Sequence, residues 1–235
     1  MKSAYLSVLR ADTKNIFRDN SLVLMLIVPF IFIPLVRFGG KALIDFFPEV
    51  MEYAPMTVML FGAMVAVFPA FVIGFVMMDE KDGGLNQVLR ILPFHFNKLI
   101  GLRVALITSI GLINSTLFLT LNGIVSFPFI KMLMLSINVS LFAPITAFIM
   151  LCLSANKIEA AAILKGISFV TFLAFLQFFI TNGYKYFLSA IPTFWAYRAF
   201  EFMDDHLLFV FFCSIGFTMQ IVYLVILWKI FEKKW

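Results

Sequence analysis

The chain has 235 residues, of which 63% are hydrophobic, 17% aromatic and only 13% charged, with a mean hydropathy of +1.02. Soluble domains average about 45–50% apolar and about 25% charged residues, so this composition excludes one, and it excludes a disordered chain too. The net charge of +5, from 18 basic and 13 acidic residues, sits between long charge-free runs rather than in a patch suited to nucleic acid.

Those runs define the elements. Uncharged stretches of 17, 23, 27, 25, 19 and 22 residues lie between Asp19 and Arg37, at Met56–Met78, between Arg103 and Lys131, between Lys131 and Lys157, between Lys165 and Lys185, and between His206 and Lys229. A spanning helix needs about 17–25 predominantly apolar residues, and lipid leaves no partner for open backbone amides, so all six are read as transmembrane helices. The alternating ten-residue strands of a β-barrel are absent from the sequence. The fold class is therefore an all-α membrane protein, a single transmembrane domain over 1–235.

In chain order, 1–20 reads as an interfacial helix with Tyr5, Val8, Leu9 and Ile16 on one side and Arg10, Lys14 and Arg18 on the other. Asp12 falls on the apolar side, against the pattern. The first span covers 21–38 and is kinked by Pro29 and Pro34, with Arg37 reaching outward. An acidic loop with Asp45, Glu49 and Glu52 leads to the second span at 56–78. A short amphipathic helix is expected over 82–93, with Asp82 as its N-cap and Leu85, Val88, Leu89 and Leu92 at helical spacing. The third and fourth spans, 104–127 and 131–155, form a hairpin, and the fifth covers 158–182 with Ala160, Ala161, Ala162 and Gly166 in its first turns. Between it and the sixth span at 207–229 lies 185–206, too polar to span and rich in aromatics, read as a broken, re-entrant or surface-lying outer element around Pro192.

Orientation follows from the basic residues. With the N-terminus inside, 13 Lys and Arg fall on the inner side and 5 on the outer, which places both termini in the cytoplasm and the chain in the cell (cytoplasmic or inner) membrane as a multi-pass protein. No cleavable signal peptide is expected. Cys152 and Cys213 sit at different depths, too far apart for a disulfide.

The stretch Asp79-Glu80-Lys81-Asp82-Gly83-Gly84-Leu85-Asn86-Gln87-Val88-Leu89-Arg90-Ile91-Leu92-Pro93 carries the sharpest signal. Its apolar stripe suits either the membrane surface or a groove on a soluble partner. An acidic start, a glycine break, spaced leucines and a proline stop after the second of six helices resemble the permeases of ABC-2 type ABC transporters, the type V exporter fold. The Asn156-Lys157-Ile158-Glu159-Ala160 start of helix five, the Ile191-Pro192-Thr193-Phe194-Trp195 element before helix six and the N-terminal helix are similar as well. The second glycine, where that family more often has Gly-Thr, and the short first loop depart from the pattern. The resemblance implies a coupling helix through which each of two permease subunits, identical or homologous, binds a separate cytoplasmic ATPase. Glu80, Asp82, Gly83, Gly84, Leu85, Val88, Leu89 and Leu92 would then form the ATPase-coupling site.

On that reading the chain binds no cofactor, and ATP and magnesium belong to the partner. The sequence fits this, since Gly39-Gly40-Lys41-Ala42 lacks the first glycine and the hydroxyl of a phosphate-binding loop. Catalytic and metal sites are not expected: Asp79, Glu80 and Asp82 lack a converging second group, the carboxylates being explained by a helix N-terminus, and zinc-protease and nucleophile-elbow motifs are missing. Within the spans Asn114, Asn122, Asn138 and Gln177 are read as interhelical hydrogen-bond glue or as a substrate path, together with the aromatic Phe172 and Phe175. With no ionisable residue at mid-membrane, an ion-coupled carrier is disfavoured. The expected function is an exporter of an amphipathic or hydrophobic drug, peptide or lipid-like molecule. The alternative is an ATP-independent membrane enzyme or assembly factor.

Overall fold

The computed structural model describes residues 2–85, 88–89 and 95–234. Among them the structure is helical throughout, and six helices are long and apolar enough to cross a membrane. The chain runs as α1 (Lys2–Arg18), α2 (Asn20–Pro34), a π-helical segment (Leu35–Gly40), α3 (Lys41–Phe46), a 3-10 turn (Pro48–Tyr53) and α4 (Ala54–Asp82). It continues through α5 (Phe96–Leu121), α6 (Phe129–Leu153) and α7 (Lys157–Phe175). After α7 come 3-10 segments at Leu176–Phe179 and Gly183–Ala190, then α8 (Pro192–Glu201) and α9 (His206–Lys234).

Helices α4 and α6 form the centre. About four-fifths of the spanning window of each is buried, against a third or less in the other four. α4 packs on α2, α5, α6 and α7, while α6 packs on α4, α5 and α9. The two share a core in which Phe75, Met78, Phe148 and Met150 interlock. Apolar side chains gain little from avoiding lipid, so close approach and polar glue hold such a bundle. A Cβ on Gly111 of α5 would stand 2.5 Å from the backbone oxygen of Ala66 in α4, and one on Gly216 of α9 would stand 2.6 Å from the Asn138 amide nitrogen. Asn138 uses that space to donate to the Cys213 carbonyl at 3.1 Å and to accept from Gln220 at 2.6 Å, joining α6 to α9.

One end of the bundle, here the terminal face, carries both chain ends. Two lysines close α6 there: Lys81 from α4 donates to the Ser154 carbonyl and Lys234 from α9 to the Cys152 carbonyl, each at 2.8 Å. Positive charge on the last carbonyls of a helix opposes its dipole. Asn156 caps α7 by accepting from the N–H of Glu159, whose carboxylate accepts in return from Ala155. Cys152 and Cys213 are free and buried.

Several expectations are corrected. α4 runs unbroken to Asp82, so Asp79, Glu80 and Asp82 lie at a helix C-terminus, where the dipole disfavours them. Asp82 is not an N-cap of the next helix; its carboxylate accepts from the backbone N–H of Lys157 at 3.0 Å. α5 begins at Phe96, which puts Arg103 two turns inside a helix rather than at its edge. α1 does not present its apolar stripe to lipid: Tyr5, Asp12 and Ile16 are buried against the protein, while Arg10, Lys14 and Arg18 are exposed. Of the four small residues in the first turns of the fifth span only Ala160 is fully buried, and Gly166 faces open space. Within 185–206 the helix that follows the break at Pro192, α8, does not lie on the surface but is largely buried against α6 and α9.

Gly111→Ala should strain the α4–α5 contact and cost about 1–3 kcal/mol, as overpacking does. Gly166→Ala, which meets nothing within 4 Å, should leave detergent thermostability at or above that of the parent. Equal melting temperatures for the two variants would contradict the packing described.

Candidate functional site

The chemistry of this chain concentrates at the terminal face. Arg103 is 1% exposed, and its guanidinium lies between Asp12 of α1, 4% exposed, and Glu80 of α4, 8% exposed. Nε and Nη2 donate to the two oxygens of Asp12 at 2.9 and 2.8 Å, and Nη1 and Nη2 to those of Glu80 at 2.7 and 2.5 Å. Four of the five guanidinium N–H groups are thus used in two parallel forks, the geometry for which arginine is suited. The ion pairs tie the consecutive helices α4 and α5 to the distant α1. Removing the cation would strand two buried carboxylates, at about 3–5 kcal/mol for breaking such a pair.

A second, more exposed hub centres on Lys157 at the start of α7. Its ammonium meets Asp79 at 2.8 Å and Asp19 at 3.3 Å, and lies 5.8 Å from the centre of the Phe75 ring. Asp19 is also the N-cap of α2, accepting from the Ser21 N–H at 2.9 Å. Burial works to raise this carboxyl, but the Ser21 N–H and the Lys157 ammonium outweigh it and hold it below its ordinary value. The Asp19 contact is therefore complete above about pH 3.9 and is lost only as pH falls through the lowered pKa.

Between the two hubs the chain leaves α4. Gly84 has φ of +70°, a conformation that glycine adopts without strain. Leu85 and Val88 then stand 52% and 47% exposed, whereas Leu89 turns inward, 9% exposed, against Tyr5 and Leu99. Gly83 is exposed, and Leu92 lies outside the described residues. The stripe expected to project as one ridge is thus split, with Leu85 and Val88 exposed and Leu89 docked on the N-terminal helix. A cavity of about 360 Å³ lined by Arg18, Asp19, Val76, Asp79, Glu80 and Leu85 opens beside them. Of the proposed coupling residues, Glu80 is committed to Arg103 and Asp82 to α7, leaving Gly83, Gly84, Leu85 and Val88 on the surface.

The candidate path residues separate in a similar way. Asn114 reaches the Val65 carbonyl at 3.5 Å, and Asn138 bridges α6 and α9. Asn122 closes the 122–125 turn, accepting from the N–H groups of Ile124 and Val125 and donating to the carbonyls of Leu119 and Val125. All three amides are thus bonded within the chain. Gln177 differs: it is buried where α7 breaks into a 3-10 turn, and neither of its amide atoms has a partner among the described residues. Nearby in the fold, the Tyr197 hydroxyl is also buried without a partner, and burial pushes its pKa up. The Tyr197 ring packs 5.8 Å from Phe178 and 6.3 Å from Phe175. Phe175 is buried, while Phe172 lines an apolar cavity of about 150 Å³ between α4 and α7, with Phe68, Phe71, Ser168 and Thr171. Phe75, one turn beyond Phe71 on α4, lines a further cavity of about 380 Å³ that includes Asp19 and Lys157. Among the described residues no cluster of three His, Cys, Asp or Glu is placed to hold a metal ion.

Charge spacing alone did not reveal the Arg103 pairing. Its one trace in the sequence is Asp12, an acid in register with Tyr5, Val8 and Ile16 on an otherwise apolar stripe.

Residues 12–228 match the family described as fluoroquinolones export permease protein Rv2686c-like. Two proteins of Mycobacterium tuberculosis are similar over 209 residues at 24% identity: fluoroquinolones export permease protein Rv2686c of strain H37Rv and its counterpart MT2760 of strain CDC 1551. Each alignment covers 84% of this chain and 81% of the relative. No solved structure matches the chain.

Arg103→Met should lower thermostability steeply, whereas the triple change Arg103→Met, Asp12→Asn, Glu80→Gln should recover a large part of the loss, because no buried carboxylate is then left unpaired. Thermal unfolding in detergent reads both. A triple variant as unstable as the single one would show that the pairing is not what burial demands. Amide exchange over 157–161 should rise below about pH 4, and in Asp19→Asn the same protons should be exposed already at neutral pH.

Proposed function

The chain belongs to the family of Rv2686c-like fluoroquinolone export permeases, a multi-pass membrane permease of an exporter rather than an enzyme, and from that premise we propose that it is the membrane half of an ATP-driven ABC-2 type exporter. In this reading both termini lie in the cytoplasm, two permease subunits pair in the cell membrane, and each engages a separate ATPase that binds ATP and magnesium. The cargo is an amphipathic aromatic drug of the fluoroquinolone class.

The observation that carries the ATPase coupling is the pair Leu85 and Val88, exposed on the terminal face directly after the positive-φ Gly84. An apolar pair beside a cavity suits a helix-in-groove contact with a soluble partner. Force applied there has two short routes into the bundle. One runs through Glu80 and Arg103 to α5 and α1, the other through Asp79, Asp82 and Lys157 to α7. Movement of α7 against α4 would reshape the cavities lined by Phe71, Phe75 and Phe172. Their walls are mainly apolar, with the hydroxyls of Ser168 and Thr171 free to accept because each donates to the carbonyl four residues back.

The test is co-purification and vesicle transport. The tagged chain should retain an ATPase subunit with an intact phosphate-binding loop, and inside-out vesicles should take up a fluoroquinolone only with ATP. Leu85→Asp with Val88→Asp should lower both ATPase retention and uptake at least tenfold, about 1.4 kcal/mol of binding, at unchanged chain level. Leu89 is unsuitable for this purpose because it packs within the chain. Uptake without ATP, or full coupling in the double variant, would overturn the assignment.

A further inference from the structure

At the end of the bundle opposite the terminal face, the first span departs from α-helical geometry. Pro34, which has no N–H to donate, closes α2, and the next six residues, Leu35–Gly40, form a π-helix before α3 resumes. π-segments are rare, and they recur at functional sites because the extra residue per turn re-aims side chains and opens space. Here the space is a cavity of about 350 Å³ between the π-segment, the 3-10 turn at Pro48–Tyr53 and the start of α4. Val36, Val58 and Phe61 form its inner wall, and Gly39 and Gly40 supply backbone without side chains. Its one lining hydroxyl, Thr57, donates to the Tyr53 carbonyl. The volume falls at the lower end of the about 300–1,000 Å³ of ligand sites.

Two features identify the occupant. Leu35 and Leu43, both lining the cavity, are each more than half exposed, so it opens onto the face a membrane protein turns to hydrocarbon. The charges beside it are also ordered along the chain. Arg37 and Lys41, one helical turn apart and with no carboxylate partner among the described residues, come first, at the end of the apolar run. Asp45, Glu49 and Glu52, all exposed, follow in α3 and the 3-10 turn. A cationic band followed by an anionic band complements a headgroup with a phosphate near the hydrocarbon and an ammonium beyond it. It does not complement a net-anionic lipid, because acids outnumber bases there by three to two.

We propose that this pocket binds one acyl chain of a zwitterionic, amine-bearing phospholipid, with Arg37 and Lys41 on the phosphate and the acidic loop on the ammonium. The site stands apart from the terminal face and from the α4–α7 cavities, and it holds whether or not the chain is coupled to an ATPase.

The test uses the full chain reconstituted in nanodiscs of equimolar phosphatidylethanolamine and phosphatidylglycerol, released into detergent and weighed by native mass spectrometry. One phosphatidylethanolamine per chain should survive, in at least fivefold excess over phosphatidylglycerol. Gly39→Phe should abolish retention, since it adds a bulky side chain at a lining position whose Cβ meets only Leu35 Cδ1, at 3.9 Å. Lys41→Glu alters an exposed residue without touching the packing, so it keeps the test open should the phenylalanine variant fail to fold. It should reduce retention at least fivefold at an unchanged melting temperature. Lipid retained in proportion to bulk composition, a preference for phosphatidylglycerol, or unchanged retention in either folded variant would overturn the proposal.

Discussion

A single guanidinium holds the terminal half of this molecule together. Arg103 enters the bundle on α5 and is met by Asp12 from the N-terminal helix and Glu80 from the end of α4. Burying three charged groups is costly unless each polar atom is matched, and here two bidentate forks match all four carboxylate oxygens. The consequence is geometric rather than simply stabilising. α1 has no freedom to roll in a headgroup plane, because its acid points inward, and α4 cannot end its last turn without bringing Glu80 to the same place. Every other feature of the face is laid out around that fixed point, including the Gly84 bend, the exposed Leu85 and Val88, and the inward Leu89.

Away from this face the bundle is organised by closeness and by amides. α4 and α6 occupy the middle, and glycines at 111 and 216 let neighbouring backbones and the Asn138 amide approach where a methyl would collide. Asn114 and Asn138 reach across to neighbouring helices and Asn122 closes a turn, whereas Gln177 has no partner among the described residues. Its unpaired amide and the unpaired Tyr197 hydroxyl lie at the break in the fifth span. A buried polar group without a partner is costly in any low-dielectric setting. This break therefore carries an uncompensated cost within the described core.

Much of the architecture is written in where charges do not occur. Six apolar runs became six helices because lipid permits little else, and the broken 185–206 stretch is visible from Pro192 and its aromatics. The ends of the helices were less legible. Cutting the chain at charged residues treats each charge as a marker of water, which puts Arg103 at the edge of a span and Asp79, Glu80 and Asp82 at the start of a new helix. Paired charges carry no such meaning: Arg103 lies two turns inside α5, and the acids end α4. The partners of Lys157 lie 138 and 78 residues away, and no local spacing announces them. Asp12 conflicts with its surroundings in the sequence, and only the fold supplies the buried arginine that resolves the conflict.

The two lysines that close α6 constrain how such a bundle can move. Lys81 and Lys234 come from two different neighbours and grip the last turn of the central helix at carbonyls two residues apart. A piston-like slide of α6 along its own axis would have to break both grips together, whereas a hinging of α7 about its capped start breaks neither. The middle of the molecule thus acts as a keel, and any working stroke is left to the flanks.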